Sequence, residues 1–250
     1  MSQHMQLVGL IATSIYASAV AQNTLNTTGN ARVEPSLNSY QLLVALLPPG
    51  AGTHQPIKRF NVEGPGGAMT SLSDIPPELT DDPAGLAFRT SREMFVGNRH
   101  GNTGAGSVSR FTFDQQFNSF TQEPNITGNG LANCHQVSFD SVSGELFVAD
   151  MFVGSVSRFI FDSLGHVIEN SIFSPGCSGV GVVVSSDGQE LFFACYSSTE
   201  IKRFGRVGNG FAPLGSIQVS GASRIHYLKF REGELYASDI DRGLTYRIAF

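Results

Sequence analysis

One motif recurs along the chain and constrains its fold more than any other feature. Glu93-Met94-Phe95-Val96-Gly97-Asn98, Glu145-Leu146-Phe147-Val148-Ala149-Asp150, Glu190-Leu191-Phe192-Phe193-Ala194-Cys195 and Glu234-Leu235-Tyr236-Ala237-Ser238-Asp239 are versions of one hexapeptide. Gln41-Leu42-Leu43-Val44-Ala45 is an earlier, looser copy. Each copy follows an alternating stretch: Val33-Pro35-Leu37, Ala84-Leu86-Phe88, His135-Val137-Phe139, Val180-Val182-Val184 and His226-Leu228-Phe230. Side chains two apart share one face of a strand, so each triplet marks one buried face. The segments Ser141-Val142-Ser143-Gly144, Ser185-Ser186-Asp187-Gly188 and Arg231-Glu232-Gly233 lie between the paired stretches and have hairpin-turn composition. A third strand follows each copy: Ile57-Lys58-Arg59-Phe60, Val108-Ser109-Arg110-Phe111, Val156-Ser157-Arg158-Phe159, Ile201-Lys202-Arg203-Phe204 and the weaker Leu244-Thr245-Tyr246-Arg247. Ser171-Ile172-Phe173 and Ser216-Ile217-Gln218-Val219 supply a fourth.

Four short strands per repeat of about 45 residues make one blade of a β-propeller. A blade cannot bury both faces alone, so neighbours must stack around an axis. The expected fold is all-β: a propeller of about five four-stranded blades, six or seven if the ring is completed otherwise. A content of 28 Gly and 11 Pro with 15% charged residues agrees with many strands and turns. The last repeat stops at Phe250 after its third strand. Thr13-Ser14-Ile15-Tyr16 resembles the fourth-strand pattern and would close the ring from the N-terminus. A second reading competes for the same residues. Leu7 to Val20 is an apolar run, and Ala19-Val20-Ala21 has small-x-small cleavage character. On that reading residues 1–22 are a secretory signal, 23–250 form the single propeller domain, and the protein is secreted or periplasmic. If the run is instead a strand, the protein is cytoplasmic. The run is too short for a comfortable membrane span. The sequons Asn125-Ile126-Thr127 and Asn26-Thr27-Thr28 suit a secreted eukaryotic protein. Basic residues are scattered singly against a net charge of −5, so no nucleic-acid footprint is present.

Aligning the repeats brings distant residues together. In a propeller the inner strand begins, and the second strand ends, on one face of the disc. His135 and His226 begin inner strands, and Asp150 and Asp239 end the matching second strands. Imidazole and carboxylate can hold a divalent metal, and a His oriented by an Asp can act as a general base. These four are the expected catalytic residues and the candidate ligands of a divalent metal ion. The bland alternative is that each Asp only holds the next turn through backbone groups. Asn98, Arg99 and His100 on a neighbouring rim loop, with Cys195, are expected to contact a small-molecule ligand at the central channel. Cys134 and Cys177 flank matching points of successive blades and are expected either to form a disulfide or to stay as buried thiols. The repeated Arg59, Arg110, Arg158 and Arg203 lie on third strands away from the axis, and are read as ion pairs whose stems cover apolar surface.

The stretch from His135 to Asp162 reads His-Gln-Val-Ser-Phe-Asp-x3-Gly-Glu-Leu-Phe-Val-Ala-Asp and then Ser-Val-Ser-Arg-Phe. It resembles two propeller groups: the phosphogluconolactonase-type lactonases, which include muconate-cyclising enzymes, and the NHL-repeat and SMP-30-like superfamily. The resemblance implies a lactonase-like hydrolase or cyclising enzyme acting on a small organic acid or lactone at the axial pocket. SMP-30-like metal sites use acidic and Asn residues. Here no Glu stands at an inner-strand start apart from Glu34, so no family catalytic residue maps onto this chain. The competing function is a non-catalytic propeller that binds a small ligand or a protein partner.

Overall fold

A computed structural model describes residues 16–23, 39–47, 55–63, 68–99, 105–115, 117–128, 130–231 and 233–249. They form five antiparallel sheets. The first holds β1 (Tyr16–Asn23), β2 (Ser39–Leu47), β3 (Ile57–Glu63) and β4 (Met69–Ser71). The second follows a short 3-10 turn at Pro77–Leu79 and holds β5 (Pro83–Phe88), β6 (Glu93–Asn98), β7 (Ser107–Phe113) and β8 (Phe120–Thr127). The third holds β9 (Cys134–Asp140), β10 (Glu145–Asp150), β11 (Ser155–Phe161) and β12 (Val167–Phe173). The fourth holds β13 (Gly179–Val184), β14 (Glu190–Cys195), β15 (Glu200–Val207) and β16 (Gly210–Gln218). The fifth holds β17 (Ile225–Arg231), β18 (Glu234–Asp239) and β19 (Leu244–Ile248), three strands among the described residues. Strands pair in chain order, and β1, β5, β9, β13 and β17 are neighbours in that sequence around the hub. This is the expected propeller of five blades.

The recurring hexapeptide explains how the blades stack. Its second and third residues point to opposite faces of the sheet. Met94 packs with Leu43, Ile57 and Ile75 of the first blade, while Phe95 packs with Val137, Leu146 and Val148 of the third. The pattern then advances by one blade. Leu146 faces back and Phe147 forward onto Val182, Leu191 and Phe193. Leu191 faces back and Phe192 forward onto Leu228 and Leu235. Among the described residues four apolar cores thus form, each drawing on neighbouring sheets.

The repeated arginines behave as the sequence suggests. Arg110 pairs with Glu93, Arg158 with Glu145, Arg203 with Glu190 and Arg247 with Glu234, each across one pair of strands within a blade. Arg59 departs from the pattern. It lies buried at 5.3 and 5.7 Å from the Phe113 and Phe120 ring centroids and donates to the Ser73 and Phe117 carbonyls.

The first blade differs from expectation. Its inner strand is Tyr16–Asn23, paired with β2 over eight positions from Tyr16↔Leu47 to Asn23↔Tyr40. Val33-Pro35-Leu37 lies outside the described residues, as do Thr13, Ser14 and Ile15. Tyr16 therefore joins the first blade and does not add a fourth strand to the fifth. Alternation reports which residues share a face but not which strand they pair with, and two stretches before β2 alternate.

Candidate functional site

Blades two to five share a defect that shapes the hub. In each, the inner strand carries one extra residue relative to its partner, just after its first pair. The register shifts between Pro83 and Gly85, between Gly179 and Gly181, and between Ile225 and Tyr227. In blade three the shift is set against Val148 and Asp150, opposite His135 and Gln136. A β-bulge re-aims side chains and is common beside functional sites. The bulge position is occupied by Ala84, His135, Val180 and His226. The next position reads Gly85, Gln136, Gly181 and Tyr227, alternately absent and large. A Cβ on Gly85 would lie 2.5 Å from the His135 carbonyl oxygen, and one on Gly181 would lie 2.9 Å from that of His226. The two glycines let the strands bearing Gln136 and Tyr227 crowd inward.

The result is a polar cluster at one end of the axis. The rings of His135 and His226 meet edge to face at 5.6 Å, although blade four separates their strands in sequence. Tyr227 lies 4.8 Å and Tyr196 6.2 Å from the His226 ring, centroid to centroid. Arg99 follows β6 and grips Asp82 with Nη2 at 2.8 and 2.7 Å from the two carboxylate oxygens. Arg224 donates to the Tyr196 hydroxyl at 3.2 Å and pairs with Asp241. Burial, then His226 and Arg99, hold the His135 imidazole well below its ordinary range. Burial, then Arg224 and Arg99, lower His226 to about 4, against a smaller opposing pull from Asp241. Both rings are neutral at physiological pH. Burial also pushes the Tyr227 phenol upward, so it stays protonated. Four buried atoms here have no hydrogen-bond partner among the described residues: His135 Nδ1, Arg99 Nε, Arg224 Nε and the Tyr227 hydroxyl.

No family model matches the chain, and no curated protein matches it in sequence. Solved structures do. A candidate 6-phosphogluconolactonase from Bacteroides fragilis superposes with a TM-score of 0.61 at 17% identity, over 87% of this chain and 69% of that one. A second, from Bacteroides uniformis, gives 0.58 at 18% identity, over 80% and 66%. The Cps50 (Swd1) β-propeller domain of Myceliophteria thermophila gives 0.52 at 12% identity, over 84% and 66%. A nidogen/laminin complex gives 0.55 at 15%, over 81% and 70%. What they share with this chain is the fold. The chain spans about two thirds of the length of each.

On this propeller the residues singled out in the sequence separate into groups. His135, His226 and Arg99 come together at the axis. His100 lies outside the described residues. Asp150 holds the loops: its carboxylate accepts the amides of Ala132, Asn133, Phe152 and Val153 at 2.6 to 3.1 Å. Asp239 accepts those of Ser223, Arg224, Asp241 and Arg242 at 2.6 to 3.4 Å. Burial opposes ionisation of Asp239, but these amides outweigh it and lower its pKa. No three His, Cys, Asp or Glu side chains gather to hold a metal among the described residues, so the expected quartet does not form a ligand set. Asn98 turns off-axis, donating to Ser107 and Ser109. The disulfide expectation needs correcting. Cys177 bonds Cys195, and Cys134 is a free, buried thiol. Cys195 pairs with Gly179 across the hairpin, which brings Cys177 alongside it, whereas Cys134 packs into the core between blades two and three. Cys195 is therefore no free thiol for a ligand. Asp82, Tyr196, Gln136, Arg224 and Tyr227 went unnoticed in the sequence. For Gln136 and Tyr227 the signal was present, as the large members of the Gly-Gln-Gly-Tyr alternation beside the histidines.

Proposed function

We propose that the axial end receives a small, oxygen-rich organic acid or lactone. The observation that carries this reading is the set of unpartnered polar atoms around Arg99. A guanidinium Nε–H, an imidazole nitrogen and a phenol are costly to bury without partners. A carboxylate or lactone carbonyl accepts from Arg99 and Tyr227, while a ligand hydroxyl pairs with His135. Neutral imidazoles beside the Arg99–Asp82 ion pair suit a neutral ligand or one of a single negative charge. The Cys177–Cys195 bridge supports folding in an oxidising compartment.

The likeness to candidate 6-phosphogluconolactonases favours a catalytic form of the same reading. His135, neutral and unpartnered at Nδ1, would take a proton from water as the oxygen adds to the lactone carbonyl. Arg99 would face the oxyanion. Cleavage of the ring C–O bond would return that proton to the departing alkoxide, giving the hydroxy acid.

The test is thermal melting with a panel of aldonic acids and their lactones, followed by pH-stat titration of lactone opening. A ligand at one hundred times its Kd should raise Tm by roughly 5 °C or more. Arg99→Met should remove that rise while melting as a folded protein, and His135→Gln should abolish turnover. Absence of any shift across the panel overturns the binding reading. A shift without turnover overturns only the hydrolase.

A further inference from the structure

A cavity of about 460 Å³ lies off the axis between the segment at residues 77–81 and blade two. Its inner wall is built from hydrogen bonds whose direction can be worked out. The Ser109 hydroxyl has one proton and gives it to the Leu79 carbonyl at 3.1 Å. It must therefore accept from Asn98, whose Nδ2 lies 2.9 Å away. The other Nδ2 proton goes to the Ser107 hydroxyl at 3.0 Å. This orients the amide and leaves Asn98 Oδ1 with no partner, on a residue only 1% exposed. Thr80, 4% exposed, likewise has an unpartnered hydroxyl, and both residues line the cavity. Gln122 spends Nε2 on the Leu79 carbonyl and on Asn125 Oδ1.

Two residues of the wall thus hold unpartnered atoms, one an acceptor and one a hydroxyl able to donate or accept. Among the described residues no Lys or Arg lines the cavity, while Glu78 and Asp81 do, so an anion is disfavoured. An ammonium group can donate to Asn98 but cannot accept from Thr80. Glu78 and Asp81 would attract its charge, but it would leave the Thr80 proton without an acceptor, which a hydroxyl does not. A hydroxyl both donates and accepts, and neighbouring hydroxyls can serve both atoms at once. We propose that this cavity binds a neutral polyhydroxylated ligand, a sugar or cyclic polyol, independently of the axial site.

The experiment is isothermal titration of the full chain with D-glucose, D-galactose, D-mannose and myo-inositol up to about 100 mM, with putrescine as the cationic comparator. At least one polyol should bind, and Thr80→Val, which keeps shape but loses the hydroxyl, should weaken it tenfold or more. His226→Gln, in the axial cluster, should leave that binding unchanged, which separates this site from the axial one. Crystals soaked with the tightest polyol should show density between Thr80 and Asn98, a readout that stands even if the variant fails to fold. The proposal is overturned if no polyol binds, if putrescine binds more tightly than all of them, if binding survives Thr80→Val, or if the density lies elsewhere.

Discussion

At the scale of single residues, the two hub histidines turn burial into pH dependence. His226 titrates near 4 in the folded chain, against about 6.5 when unfolded. Between those values the unfolded chain holds the extra proton, so stability rises with pH through this window and is level above it. The stabilisation is fully present above about pH 6.5 and is lost as pH falls toward 4, by a total of about 3 kcal/mol. His135 is lowered for the same leading reason and steepens the slope. Urea midpoints measured from pH 7 to pH 4 should fall accordingly. His226→Gln, which cannot gain the proton, should flatten the curve. A variant as acid-sensitive as the parent would place the liability elsewhere.

At the scale of strands, the same Glu–Arg pair has different worth in different blades. Glu145 serves both Arg158 of its own blade and Arg206 of the next, and Arg158 is only 8% exposed. Burial works against the Glu145 carboxylate, yet bonds from Arg206, Arg158 and Ser143 keep its pKa below the ordinary value. Glu145→Ala leaves the buried Arg158 with only the half-exposed Glu169, 3.7 Å away, and should cost about 3 kcal/mol. In the fifth blade Arg247 is 67% exposed, and Glu234→Ala should leave the urea midpoint within error. Equal effects would mean that burial does not decide the value of the pair. This contrast also shows what the sequence can tell. Hexapeptide, hairpin and third-strand Arg were legible because each is a local pattern repeated in phase. So was the meeting of His135 and His226, which follows once the repeats are superposed. The inner strand of the first blade was not, since alternation does not name a partner. Nor was the disulfide, because it depends on where Cys177 crosses to the end of its own hairpin. For the aspartates the turn-holding alternative is the one the structure bears out: their alignment with the histidines is real, but each side chain is committed to four backbone amides.

At the scale of the molecule, the ring is tied across its middle as well as around its rim. Gln136 of the third blade donates from Nε2 to the Leu228 carbonyl at 2.5 Å and accepts the Leu228 amide at 3.0 Å, reaching the fifth blade across the hub. Around the rim, Arg206 joins blade four to Asp140 and Glu145, and Arg89 of blade two donates to the Asp162 carbonyl. Removing the central tie leaves two main-chain groups of a buried residue unpaired, at about 1–3 kcal/mol each. Gln136→Ala should therefore lower the urea midpoint by more than loss of the exposed Glu234–Arg247 pair, and an unchanged midpoint would show that the hub does not depend on it.

The same side chain decides how traffic can move. Gln136 sits one residue beyond His135 along the inner strand, spanning the axis like a crossbar. If the axial end receives a ligand as proposed, a molecule arriving from the Arg99 side would meet this side chain before the far face. Such a guest would leave by the door it came through, and its departure would precede the next arrival.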